Sequence, residues 1–301
     1  MTTSAPRVTV VMPVRDGARF LADALDSVLG QSFKDLELLA VDDGSRDASP
    51  AILARYAAAD ARLRVLSRAP EGVVAALNAG IAAARSACIA RMDADDVSEP
   101  DRLTRQLAVL DANPDVVLVG AAATLVDARG STVGQIVPPI AHDAIAARLR
   151  TSNALVHGTV VFRRAAWSAA GGYDAAARLA EDYDLWCRLL ARGRLAALAE
   201  PLYRLRVHAE SVSMRALSDQ LEATYRVRHR HFGTPSPSWR ERRTARADRH
   251  LAYARMLGAP ERAAWEHLLA AWRAKPWSPT VVRRGFAYLR GDHERMEGAG
   301  R

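Results

Sequence analysis

Between Val8 and Met92 the chain alternates short β-rich runs with stretches of helical spacing, and few folds accommodate that order. Val8 to Met12 is apolar and β-branched enough for a buried strand. Leu21, Leu25, Val28 and Leu29 then recur at helical intervals. Leu36 to Val41 reads as a second strand, and Ile52, Leu53 and Tyr56 mark a second helix. Arg62 to Leu66 is a third strand, Val73 to Ala84 a third helix, and Cys88 to Met92 a fourth strand. The pattern predicts an α/β fold with a mostly parallel central sheet flanked by helices. In such sheets ligands collect at the carboxyl ends of the strands. Polar clusters follow three of these strands: Arg15-Asp16, Asp42-Asp43 and Asp93-Ala94-Asp95-Asp96. Acidic loops gathered at one sheet edge repel one another, so their convergence points to a ligand rather than to stability.

Further along, Val116 to Val126 and Val133 to Val137 read as strands, His142 to Leu149 as a helix, and Leu202 to Val207 as a late strand. Glu181 to Arg192 is an amphipathic helix with Leu185, Trp186 and Leu189 on one face. From about Arg215 the pattern is helical, interrupted at Thr234-Pro235-Ser236-Pro237. Trp265, Leu268, Leu269 and Trp272 share a helix face. The expected division is a catalytic domain over residues 1–214 and a basic, mainly helical C-terminal extension over 215–301.

Charge is unevenly placed. The chain is +8 overall, and the stretch from Arg215 onward holds 18 basic and 9 acidic residues, leaving −1 for the rest. A basic segment of this kind is a solvated arginine-rich surface or a contact for anionic lipid. Peripheral membrane contact through Trp265 and Trp272 competes with their packing on the catalytic domain; no nucleic-acid partner is expected. Cys88 and Cys187 are too few for a disulfide framework and lack metal-site spacing, which suits buried thiols in a cytoplasmic setting. No signal peptide or membrane span is read, so the expectation is a cytoplasmic protein, soluble or peripheral at the inner face of the membrane.

The chemistry rests on carboxylates. Asp93 and Asp95, two apart on extended chain, project to one side. Such a pair suits Mg²⁺ or Mn²⁺ shared with substrate phosphates. Asp42 or Asp43 can accept hydrogen bonds from a base or ribose, or cap an Asx turn in which Gly44 supplies a positive φ. Met12 to Gly17 carries neither a dinucleotide fingerprint nor a Walker loop. Glu181-Asp182 either complements a helix dipole or supplies a general base. His208, after a strand, could reach a metal or phosphate. His157, before Gly158-Thr159, could line the acceptor side.

Seven segments in order resemble the family-2 glycosyltransferases: VTVVMPVRDGARFLADALDSVLGQSF, LELLAVDDGSRDAS, GVVAALNAGIAAA, CIARMDADDVSEPDRL, LVHGTVVFRR, GGYDAAARLAEDYDLWCRL and LYRLRVHAESVS. They cover about residues 7 to 215. The resemblance implies the GT-A nucleotide-diphospho-sugar transferase fold and inverting transfer from a nucleotide-diphosphate sugar, a UDP-sugar first, to a saccharide, lipid-linked or other hydroxyl acceptor in surface polysaccharide or glycoconjugate synthesis. It implies nucleotide-sugar contacts from Pro13, Arg15, Asp42, Asp43 and Asp93. Asp95 and His208 would hold Mn²⁺ or Mg²⁺, and Asp182 would be the catalytic base. His157, Glu181 and Trp186 would lie on the acceptor side. Two other classes stay open: a nucleotidyltransferase that makes sugar nucleotides, and a non-catalytic binding protein on the same fold.

Overall fold

The computed structural model describes residues 5–211, 215–257 and 262–275, the side chains of 255–257 and 262–265 excepted. It divides into two compact units, Met1–Leu125 with Gln135–Arg206, and Val126–Gly134 with Val207–Arg301.

The first unit opens with β1 (Val8–Val14), α1 (Leu21–Leu29), β2 (Leu36–Asp42), α2 (Ser49–Ala59), β3 (Leu63–Ser67), α3 (Val73–Ala83) and β4 (Cys88–Arg91). β1 lies between β2 and β4, and β3 flanks β2, all parallel. Period-two burial explains the layers. Val8, Val10, Met12 and Val14 pack with Leu21, Leu25 and Val28 of α1 and with Leu103, Leu107 and Leu110 of a later helix. Val11 and Val41 turn to the other face, beneath α3. There a Cβ on Gly80 would meet Val11 Cγ1 at 2.6 Å and Val41 Cγ2 at 2.8 Å, so this helix approaches the sheet only because residue 80 has no side chain. Each fully buried Val or Leu contributes about 1.5–3 kcal/mol, so the two-faced core outweighs weak local signals.

The sheet continues through β5 (Val97–Ser98), α4 (Arg102–Ala112), β6 (Val116–Val126), β7 (Thr132–Ile136), α5 (His142–Leu149), β8 (Val161–Arg163), α6 (Arg164–Ala169), α7 (Glu181–Leu189) and β9 (Arg194–Arg206). The order is β3-β2-β1-β4-β8-β6-β9-β5, with β7 paired to β6 off this path. β8 runs antiparallel to β4 and β6, and β5 antiparallel to β9. The parallel block expected from sequence is thus extended by an antiparallel one. The late strand is longer than Leu202 to Val207, beginning at Arg194 through an alanine-rich stretch that contains Pro201. The helix expected over Glu181 to Arg192 stops at Leu189.

The second unit contains α8 (Leu217–Phe232), α9 (Trp239–Leu257) and α10 (Arg262–Ala274). Gly233 ends α8 in the left-handed conformation, at φ 62°. The helices α9 and α10 pack together, burying Ala247, Leu251 and Ala254 on one and Leu268 and Ala271 on the other. Trp272 is exposed, and the Trp265 side chain lies outside the described residues. Among the described residues no helix is long and apolar enough to cross a membrane.

Candidate active site at the strand ends

β1 and β2 end side by side in register, Pro13 opposite Val41 and Val14 opposite Asp42. Asp42 Oδ1 accepts the Ser45 N–H at 3.0 Å, and Gly44 takes φ 72°. Asp42 therefore caps the turn. Asp43, also buried, accepts the backbone N–H groups of Glu71 (2.9 Å) and Gly72 (2.8 Å) at the start of α3. Arg15 Nη1 donates to the Asp43 carbonyl at 3.0 Å and reaches its Oδ2 at 3.4 Å. The next residue, Asp16, sits at φ 49° and accepts the Arg46 N–H at 2.7 Å. These bonds leave Arg15 half exposed beside a fixed carboxylate. Asp43 still has acceptor capacity, since an ionised carboxylate offers about four lone-pair sites.

The acidic cluster follows β4. One carboxylate oxygen from each of Asp93, Asp95 and Asp96 can be chosen so that all lie within 4.8 Å of one another. The three are held differently. Asp96 is buried, accepting the Tyr203 hydroxyl at Oδ2 (2.7 Å) and the Arg206 N–H at Oδ1 (2.7 Å). Burial and the neighbouring Asp95 and Asp93 charges push its carboxyl well above the usual range. Asp93 pairs with the Arg91 guanidinium, and its N–H donates to the Tyr203 hydroxyl at 3.2 Å. Arg206 Nε donates to the Asp95 carbonyl at 2.8 Å. An all-oxygen set with a partly exposed Asp95 at its edge fits a hard divalent cation. His208 belongs to the second unit, where its carbonyl accepts the Ser211 N–H at 3.0 Å.

Arg91 is the cation beneath these carboxylates. It is 5% exposed; burial works against its charge, but Asp93, Tyr203 and Tyr173 together hold it protonated. Arg102, buried next to it, donates to the Arg91 carbonyl at 2.7 Å. Burial lowers the Arg102 pKa to about 10.

The Glu181-Asp182 pair opens α7, two residues after Leu179, which is forced to φ 74°. A leucine there carries strain of about 1–3 kcal/mol, tolerated mainly where surroundings over-determine the backbone. Asp182 Oδ2 accepts Asn153 Nδ2 at 2.7 Å. Burial raises the Asp182 pKa. Burial and the Asp182 charge raise Glu181 to about 7, and Glu181 Oε2 is buried without a hydrogen-bond partner. The charge of Asp182 is felt at Asp93, so base candidate and acidic cluster share one electrostatic field.

On the same side, His157 Nε2 and the Tyr173 hydroxyl are 2.8 Å apart, and the His157 ring meets Trp186 edge-on at 5.8 Å. Burial and the Arg91 charge hold His157 neutral. Trp186 is fully buried, with its Nε1 unpartnered. Asn78 of α3 fixes Tyr173 through both backbone groups, each at 2.9 Å. The structure thus gathers His157 and Trp186, and puts Asp93, Asp95, Glu181 and Asp182 in the first unit with Pro13, Arg15, Asp42 and Asp43. Sequence reasoning missed Arg91, Asn153, Tyr173, Tyr203 and Arg206. Only Arg91 carried a signal, as a lone charge inside an apolar strand.

A sequence model of glycosyl transferase family 2 matches residues 9–168. EpsE of Bacillus subtilis (strain 168), named as a glycosyltransferase, is 32% identical over 224 residues, 73% of this chain and 80% of that protein. WbnJ of Escherichia coli, an O-antigen biosynthesis glycosyltransferase, is 30% identical over 225 residues, 73% of this chain and 87% of that one. Among solved structures, the mannosyltransferase PcManGT of Pyrobaculum calidifontis, in complex with GDP-Man and Mn²⁺, superposes with a TM-score of 0.60 at 19% identity, over 99% of this chain and 89% of that one. S. aureus TarS 1-349 in complex with UDP-GlcNAc gives 0.61 at 16% identity, over 95% and 89%. At such identities the likeness carries the fold, which is GT-A. With over half its length matched by the family and relatives at 30% identity or more, this chain is a family-2 glycosyltransferase.

Proposed function

We propose that the protein is an inverting transferase that moves a sugar from a nucleotide-diphosphate donor, a UDP-sugar first, to a hydroxyl acceptor in surface polysaccharide or glycoconjugate synthesis. The observation that carries this reading is the acidic cluster after β4, where one carboxylate oxygen from each of Asp93, Asp95 and Asp96 lies within 4.8 Å of the others, together with an Asp182 carboxylate held by Asn153 at the start of α7. PcManGT binding GDP-Man with Mn²⁺ and TarS binding UDP-GlcNAc support a nucleotide-sugar donor on this fold. WbnJ supports the polysaccharide setting.

In this reading Pro13, Arg15, Asp42 and Asp43 flank the nucleotide, and Asp93 reaches its ribose. Asp95 would hold Mn²⁺ or Mg²⁺. A divalent cation there supplies charge neutralisation for a diphosphate leaving group. Asn153 aims Asp182, which takes the proton of the acceptor hydroxyl as that oxygen attacks the anomeric carbon from the face opposite the diphosphate. His157, Glu181 and Trp186 line the acceptor side. The catalytic domain is assigned to residues 1–214, and the reaction to the cytoplasmic side of the membrane.

A thermal-shift screen of nucleotide sugars with Mn²⁺, followed by a transfer assay on the donor that stabilises, tests the reading. Stabilisation by one base series and transfer to a saccharide or lipid-linked alcohol are expected. Pyrophosphate release from a nucleoside triphosphate and sugar phosphate would replace it with nucleotidyl transfer.

A further inference from the structure

We propose that the open end of the α9–α10 hairpin is a docking surface for an anionic phospholipid bilayer. The surface is built from local structure upward. Ser238 and Glu241 form a reciprocal cap, the Ser238 N–H donating to Glu241 Oε2 at 2.6 Å and the Glu241 N–H to Ser238 Oγ at 3.3 Å. This makes Trp239 the first helical residue, and it stands 64% exposed. One turn on, the Arg243 guanidinium lies 4.6 Å from the centre of the Trp239 ring. Its Nε donates at 2.6 Å to the carbonyl of Ala274, the last residue of α10. Arg243 thereby joins the start of one helix to the end of the other.

On α10, Leu269 and Trp272 are neighbours at i and i+3, exposed to 46% and 50%. They take no part in the hairpin's own seam, which uses Leu268 and Ala271. Exposed Arg240, Arg273 and Lys275 interleave with them. Beside Arg240, Glu241 is bound back into the cap, while on α10 the exposed Glu266 stands three residues before Leu269. The segment beginning at Arg215 is +9 against −1 for the chain before it. Indole rings flanked by snorkelling cations match the headgroup layer, where an amphipathic ring keeps one edge wet and anionic lipid meets the positive charge.

The full-length protein is to be co-sedimented with vesicles of phosphatidylcholine containing phosphatidylglycerol, and with pure phosphatidylcholine vesicles. Binding to the anionic vesicles alone is expected, weakening as salt rises. R240A/R273A/K275A should lower the partition coefficient about a hundredfold, at about fivefold per charge. W239F/W272F, which keeps an aromatic ring at both positions, should lose quenching of tryptophan fluorescence by brominated lipid while still sedimenting. Equal sedimentation of parent and triple variant, or no quenching in the parent, overturns the proposal. So does retention on RNA or on an acidic protein without vesicle binding.

Discussion

The Tyr203 hydroxyl donates to Asp96 Oδ2 at 2.7 Å and accepts the Asp93 N–H at 3.2 Å, so one phenol on β9 fixes both ends of the acidic turn. Tyr203→Phe leaves a buried carboxylate oxygen short of its donor. The expected cost is about 1–3 kcal/mol, read as a lower urea midpoint with an unchanged slope. Gly158→Ala attacks the same contact from the other side, because its Cβ would overlap the Tyr203 ring and hydroxyl. A loss of about 1–3 kcal/mol is expected there too. If both variants unfold at the parent midpoint, the phenol is not holding the turn.

Asp182 and Asp95 should separate under mutation. Asp182→Asn is expected to lose about 10²–10⁴ in transfer rate while keeping donor affinity. Asp95→Ala should weaken Mn²⁺-dependent donor binding itself, measured by calorimetry. Transfer at the parent rate by Asp182→Asn would remove the base assignment, and an unchanged titration by Asp95→Ala would remove the cation assignment.

Glu181 gives a pH signature in stability. Its carboxyl titrates at about 7 in the fold, against an ordinary 4.5. Below 4.5 both folded and unfolded chains are protonated there, and nothing is lost. As pH rises from 4.5 to 7 the unfolded chain releases the proton first, so stability falls; above 7 the loss is complete, at most about 3 kcal/mol. Glu181→Gln should flatten urea stability between pH 5 and pH 8 relative to the parent. Parallel profiles for the two proteins would count against a buried, proton-retaining Glu181.

Arg91→Met removes the buried cation paired with Asp93 and leaves Asp93, Asp95 and Asp96 to repel one another. Breaking a buried pair from one side costs about 3–5 kcal/mol. A much lower melting temperature is expected by calorimetry, with Arg91→Lys recovering part of it through retained charge. A variant as stable as the parent would show that the cluster needs no counter-ion from the sheet.

What the sequence conveyed and what it hid follow from range. Val8 to Val14, Leu36 to Asp42 and Cys88 to Arg91 announce themselves through local apolar runs, and their acidic ends lie next to them in the chain. The Tyr203–Asp96 bond joins residues 107 apart, and Arg206–Asp95 residues 111 apart. Neither leaves a periodic trace. β5 is two residues long and has no pattern to read. The start of β9 is alanine-rich and contains Pro201, a composition that hides a strand and is overridden by pairing. Asp43 was legible as a ligand candidate. Its bonds to Glu71 and Gly72 were not, because they depend on α3 beginning where β2 ends.

The grip of β9 on the acidic turn has a consequence for exchange kinetics. The Asp93 amide bonds to Tyr203, and the Arg206 amide to Asp96. Both can exchange with solvent only when β9 parts from the turn. In deuterium oxide they should protect like amides of β1, so the acidic turn opens with the sheet rather than fluctuating as a surface loop.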